Sequence, residues 1–324
     1  MSLLHAVAVL VSVWSTQFLS VASEDSSQVC GKPPSNGSYI PVPGIPFSDA
    51  KLIQVALNLE FLEAEFFLFS ATGKGLDFFD PSLARGGPPP IGGQQANLDN
   101  RTADIIYQFG LQEVGHLTAI IKTLDGKAFP RPQLDISSEV FSNFMEKALG
   151  QRLQTPFDPY ANSVNLLLAS YVIPYVGETG YIGASPMLES SKAKRLVAGL
   201  LAVEAGQDAV LRCLLYAIKD QEVFSGLTVA EITDKISNYR NKLGHTGIVD
   251  EGLVVPKCLG AQGMVTGNIL SADMNSVGYA RTGEEVLRVV YGTGDAHRPG
   301  GFYPKGARGE IAESLLGTRR ETQT

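Results

Sequence analysis

Apolar residues recur at helical spacing in four long stretches of this chain, and each stretch carries an acid inside its apolar stripe. The first stretch begins at Ser48 or Asp49, either of which can cap a helix, and runs to about Ala71, where Gly73 and Gly75 stop it. Phe47 and Leu52 are placed to staple its start. Ile53, Ala56, Leu57 and Phe67 form its stripe, with Glu60 and Glu63 in the middle. A second helix is predicted from Asn97 or Asp99 to Gly126, with Ile106, Phe109, Glu113, His116, Ile120 and Leu124 on one face. A third opens at Asp158-Pro159, an N-cap followed by a first-turn proline, and carries Tyr171, Tyr175, Glu178 and Ile182 inward; Pro174 should kink it. A fourth runs from Ser190 to about Asp220 through Val197, Leu200, Glu204, Gln207, Asp208 and Leu211.

No strand signal interrupts these four stretches. The pattern predicts an all-α fold, a four-helix bundle over residues 48–222, with a short extra helix at 138–149. A glycine- and proline-rich loop over 72–96, including Gly86-Gly-Pro-Pro-Pro-Ile-Gly-Gly93, is long enough to wrap the surface or serve function. It has no phosphate-binding glycine spacing. Residues 223–324 are poorer in apolar positions and read as a loop-rich C-terminal extension packed on the bundle. Two capping boxes, Thr228-Val-Ala-Glu231 and Thr282-Gly-Glu-Glu285, open short helices within it.

Composition narrows the setting. A net charge of −7 without a basic cluster argues against nucleic acid as a partner. Residues 1–23 read as a signal peptide: Leu3 to Val13 is apolar, and Val21-Ala22-Ser23 offers a small-residue cleavage site. The apolar run is too short for a membrane span, and none follows later, so no transmembrane segment is expected. Residues 24–47 then form an extended lead-in. The expected location is secreted, at the cell wall, or vacuolar. Secretion permits disulfides. Of Cys30, Cys213 and Cys258, the first and last sit in loop-like surroundings and form the expected pair, while Cys213 reads as a buried free thiol.

The acids carry the chemistry. Bundling the four stripes brings Glu60, Glu63, Glu113, Glu178 and Glu204 into one core with His116 and Gln207. Unneutralised carboxylates in a dry interior repel one another and lose hydration, and a pair of cations removes both costs. Glu113-x-x-His116 is one half of the ligand pattern of di-metal carboxylate bundles; Glu204-x-x-Gln207 is the other half with Gln in place of His. Oxygen and imidazole donors suit iron or manganese, hence a di-metal site for O2 or peroxide chemistry with Tyr171 or Tyr175 nearby. A buried polar network without metal is the competing reading. Asp208 and Glu65 are expected outside the ligand set.

The chain also resembles the plant desiccation-related proteins with a ferritin-like domain. The resemblance rests on Leu57-Asn-Leu-Glu-Phe-Leu-Glu-Ala-Glu-Phe-Phe67, the Gly86–Gly92 loop, Gln112-Glu-Val-Gly-His116, Phe157-Asp-Pro-Tyr-Ala-Asn162, Ala169-Ser-Tyr-Val-Ile-Pro-Tyr-Val-Gly177, Leu200-Leu-Ala-Val-Glu-Ala-Gly-Gln-Asp208 and Pro299-Gly-Gly-Phe-Tyr-Pro-Lys305. It implies a ferritin-like bundle, a link to water deficit and Glu60 over Glu63 as ligand, and it implies no established reaction. It leaves two functions open, a metal enzyme and a non-catalytic stress-protective protein that keeps a metal-free bundle. The partners expected are metal ions. A dimer, and cell-wall or protein partners, stay open. Storage of iron in a hollow cage fits poorly, because the loop and the extension would obstruct cage packing.

Overall fold

The computed structural model describes residues 49–321 apart from Ser225. The expected leader, the lead-in, Phe47, Ser48 and Cys30 lie outside the described residues. Four helical rods form the bundle: α1 (Asp49–Thr72), α3 (Asn100–Leu124), the broken rod α5 (Ser163–Ser170) plus α6 (Pro174–Ala184), and α7 (Ser191–Ala217). Helix α1 packs along α3 and α6 packs along α7, and the two pairs close on one another. A one-turn helix α2 (Leu76–Phe79) and helix α4 (Ser138–Leu149) occupy the loops. Beyond α7 come a small antiparallel hairpin, β1 (Glu222–Phe224) and β2 (Leu227–Thr228), and helices α8 (Val229–Gly244), α9 (Gly283–Val290) and α10 (Glu310–Glu321). Among the described residues no helix is long and apolar enough to cross a membrane.

Local signals explain most helix starts. The Asp99 carboxylate accepts the amides of Arg101 and Thr102, both at 3.0 Å, and starts α3. Both capping boxes form at the heads of α8 and α9. The third rod begins later than the sequence predicts. Asp158 is drawn away to Ser138 Oγ at 2.7 Å and the Tyr160 amide at 3.0 Å, and Asn162 caps α5 instead, accepting the Asn165 amide at 2.9 Å. Pro174 does more than kink this rod. It lacks an amide proton, the helix stops at Ser170, and α6 restarts with Pro174 in its first turn.

Helix α1 is buried on nearly every side rather than along one stripe. A helix apolar all round belongs in a core. Its outer face is covered by the C-terminal segment: Tyr303 Oη donates to the Asn58 carbonyl at 2.8 Å, and the Asn58 side chain bonds both the amide and the carbonyl of Arg308, at 2.8 and 2.9 Å. Glu65 is buried as well, where it meets the buried Arg131 and accepts the Leu76 amide at 3.2 Å. Arg131 also holds the glycine–proline loop, donating to the carbonyls of Pro88 at 2.7 Å and Gly87 at 3.1 Å. A Cβ on Gly87 would stand 2.2 Å from the Arg131 carbonyl oxygen, so only glycine lets the loop lie this close. Cys213 is exposed and free, a correction to the buried thiol expected: Leu211 and Leu215 take the inner face of α7 and leave residue 213 outside. Cys258 takes part in a disulfide.

Candidate metal centre

Glu60 from α1, Glu113 and His116 from α3, and Glu204 from α7 converge, each offering one ligand atom, with all four atoms within 4.8 Å of one another. Glu113 and His116 reach the same point because they are three residues apart on one helix face. Their carboxylates surround one nitrogen. His116 Nδ1 lies 3.0 Å from Glu60, 3.1 Å from Glu113 and 3.3 Å from Glu204. All three acids are almost wholly buried.

The charge balance is lopsided. Burial works against the imidazolium of His116, yet the charge of Glu60 and hydrogen bonds to the three carboxylates hold its pKa above the ordinary value. Glu60 is likewise opposed by burial, and the His116 charge and hydrogen bond keep its pKa low. The other acids have no such partner. Burial, then the charges of Glu204 and Glu60, push Glu113 well above the carboxylate range. Burial, then Glu204, Glu113 and Glu60, do the same to Glu63. Burial lifts Glu204 to about 7 against its bond to His116. One imidazolium thus faces several carboxylates, and burial with their mutual repulsion raises the pKa of Glu63, Glu113 and Glu204.

Buried oxygens are also left without hydrogen-bond partners: Glu63 Oε1, Glu204 Oε2 and Gln207 Oε1. An unpaired buried polar atom costs about 1–3 kcal/mol. A cation fits this set better than protons do. It would take carboxylate oxygens and the imidazole nitrogen together, which matches the oxygen-rich donor preference of iron and manganese.

The expected site residues divide three ways. Glu60, Glu113, His116 and Glu204 meet. Glu63 sits one turn along α1, buried beside Glu204. Gln207 is buried on the rim: its Nε2 donates to Glu113 Oε1 at 2.6 Å and to Gln112 Oε1 at 3.1 Å, which orients Glu113. Glu178 is not brought to the cluster. It is half-buried on α6, where burial and the neighbouring Asp208 lift its pKa to about 8. The break at Pro174 sets the phase of α6, so that Gly177 and Tyr181, four apart, face the acids and residue 178 points about 100° away. Tyr181 takes the place expected for Glu178 and donates its hydroxyl to Glu60 Oε1. It was missed by the stripe drawn through Pro174; restarting the helical count at that proline would have found it. Tyr171 and Tyr175 are not at the cluster either. Tyr171 Oη accepts from Arg212 at 2.9 Å and Tyr175 Oη donates to Ser271 at 3.0 Å.

The raised acids give a pH signature. A carboxyl whose folded pKa exceeds its unfolded value binds more proton when folded, so stability falls as pH rises through that window. Glu204 (about 7), Asp208 (about 6, lifted by burial against Arg212) and Glu178 (about 8) all act this way. The raised His116 acts in the same sense above its unfolded value, and the lowered Glu60 acts only below its ordinary value of 4.5. Metal-free protein is therefore expected to lose stability from pH 5 to pH 8, by up to ~1.4 kcal/mol per pH unit for each proton involved. Urea unfolding at both pH values checks this, and stability that is level or rises contradicts it.

Comparisons with known proteins bear on this centre. The family model described as "Ferritin-like domain" matches residues 48–217. A "Ferritin-like catalase Nec2" of Nesocodon mauritianus is 50% identical over 84% of this chain and 88% of its own length. A "Desiccation-related protein PCC13-62" of Craterostigma plantagineum is 52% identical over 82% of this chain and 85% of its own length. No solved structure matches the chain.

Proposed function

The chain belongs to the plant desiccation-related proteins with a ferritin-like domain, and from that premise we propose that its buried acid–imidazole cluster holds two iron or manganese ions and dismutates hydrogen peroxide. The observation that carries the reading is the convergence of Glu60, Glu113, His116 and Glu204 with more carboxylates than cations to neutralise them. The ferritin-like catalase among the relatives favours peroxide over O2 as substrate. Overall, one peroxide gives up two electrons and two protons and leaves as O2; the second takes them and leaves as two waters. Bound metal would supply the two-electron exchange. The ligands proposed are the four converging residues, with Glu63 beside them.

The protein's own residues then have separable tasks. Tyr181 holds Glu60 in place through its hydroxyl. Gln207 holds Glu113. Glu63 Oε1, buried and unpartnered, is the oxygen available to take a proton from a bound peroxide and return it to a departing water. The surrounding core buries the three acids almost completely. A secreted or vacuolar setting is proposed from the leader-like residues 1–23.

The test is direct. Protein purified without chelators and reconstituted with Fe(II) or Mn(II) should retain metal through desalting, and should release one O2 per two peroxides consumed. Failure to take up either metal would sink the proposal. It would leave the non-catalytic protective role, which the desiccation-related relative keeps open.

A further inference from the structure

Next to the acid cluster lies a second feature that the metal site does not use. A mainly apolar cavity of about 40 Å³ opens between the first half of α1, the second half of α6 and the head of α9. Ala56, Leu59, Gly177 and Tyr181 form its inner end, and Ala184 and Met187 lie toward its half-exposed rim. Ala56 stands four residues before Glu60 and Leu59 four before Glu63, so the cavity occupies the same faces of α1 as these acids, one turn earlier. Tyr181 belongs to both places. It lines the cavity, and its hydroxyl is bonded to Glu60.

The glycines of α6 point the same way. Three glycines line the cavity from this short helix, each costing about 1 kcal/mol against alanine in a helix interior. Packing accounts for Gly183, where a Cβ would meet the Arg281 carbonyl oxygen at 2.1 Å, and crowds Gly180, at 3.1 Å from Val286. It does not account for Gly177. A Cβ there would meet only Glu63 Oε1 at 3.4 Å and Leu59 at 3.7 Å, both ordinary contacts. What Gly177 leaves open is the space over a fully buried carboxylate oxygen that has no partner.

We infer that this cavity is the route by which a small uncharged peroxide reaches the centre, passing Gly177 to Glu63 Oε1 with Tyr181 as the gate. The inference rests on the peroxide reading above. Size sets the specificity. A water needs roughly 10–15 Å³ of such volume, so 40 Å³ admits hydrogen peroxide and shuts out branched organic hydroperoxides. The apolar lining disfavours charged molecules, which would shed their hydration to enter.

Two substitutions close the route at opposite ends, Ala184→Phe near the rim and Gly177→Val at the floor. Gly177→Val replaces the poorest helix former short of proline, so it is not expected to unfold α6. Xenon-induced shifts of the Leu59 and Val286 methyl signals in metal-free protein read the cavity itself. The wild type should show them and both variants should lose them. In metal-loaded protein both variants should keep their metal by elemental analysis while kcat/KM for hydrogen peroxide falls at least tenfold. Met187→Ala, which widens the rim, should raise turnover of tert-butyl hydroperoxide. If the variants lose xenon binding and keep metal but turn over peroxide at the wild-type rate, the route is elsewhere. If the wild type takes up metal and consumes peroxide but never binds xenon here, the cavity is closed and the inference is overturned alone. If the wild type consumes no peroxide, the proposed function falls and the inference falls with it.

Discussion

Glu113→Gln will leave the metal-free protein at least as stable as the wild type and will strip the loaded protein of its metal. The two halves of this expectation come from one fact. Glu113 is wholly buried, and burial with the charges of Glu204 and Glu60 raises its pKa well above the usual carboxylate range. A neutral carboxyl and a neutral carboxamide are close in shape, and the amide keeps an acceptor for the Gln207 Nε2 proton now bonded at 2.6 Å. Removing a group that must stay uncharged costs the apo fold little, and it relieves a repulsion whenever pH rises. A cation reverses the preference. A bound cation would favour the carboxylate form of Glu113, and an amide oxygen cannot replace that charge. The loss in affinity should exceed the 10–100-fold that follows removal of an outer partner of a ligand. Peroxide consumption should fall by at least 100-fold with it. Denaturant unfolding of both metal-free proteins, followed by elemental analysis after reconstitution, checks the two halves. A variant that keeps wild-type metal content would remove Glu113 from the ligand set. A variant that unfolds without metal would make the cluster a structural network instead.

Much of this centre was legible before the fold was seen, because it depends on short spacings. Glu113 and His116 share a turn, and Glu60 and Glu204 each stand inside their own apolar stripe, so the phase of a single regular helix is enough to aim them inward. The reading failed where a helix loses its phase. Pro174 restarts the third rod, and the restart turns Glu178 off the centre and Tyr181 onto it. It failed also where burial comes from distant segments. Asn58 and Glu65 are polar residues on a helix with no free side, because the C-terminal segment and Arg131 cover them. No spacing within α1 announces a partner 250 residues later in the chain. The buried arginines of the bundle and its extension are the extreme case. Arg212, Arg240 and Arg281 sit in unremarkable helical or loop contexts, and only the folded chain brings them around Tyr171, Tyr175 and Asp250.

Asp250→Ala is expected to be the most damaging single substitution outside the centre. Asp250 is fully buried between two arginines, with Oδ2 at 2.6 Å from Arg240 Nε and 3.2 Å from an Arg281 nitrogen, and Oδ1 at 2.9 Å from Arg240. Both guanidiniums are fully buried as well. Removing one partner of such a pair typically costs about 3–5 kcal/mol, because the other charge stays in the core unpaired. Here two are left. Against a total stability of about 5–15 kcal/mol for a typical domain, the loss is a large share. It should also fall in a defined place. Arg240 donates to the carbonyls of Tyr171 at 2.6 Å and Val172 at 3.2 Å, the groups left open where the third rod breaks. Arg281 donates to Thr179 Oγ1 at 3.0 Å, one turn into α6. Asp250 therefore fixes the two arginines that seat α6, and α6 carries Tyr181 and Gly177. Hydrogen exchange in the variant should quicken first in α5, α6 and the extension, while α1 and α3 hold on to their protection. Asp250→Asn, which keeps the shape and loses the charge, should fall between the two. Uniform destabilisation, or a loss under 1 kcal/mol by denaturant unfolding, would show that the extension does not depend on this ion pair.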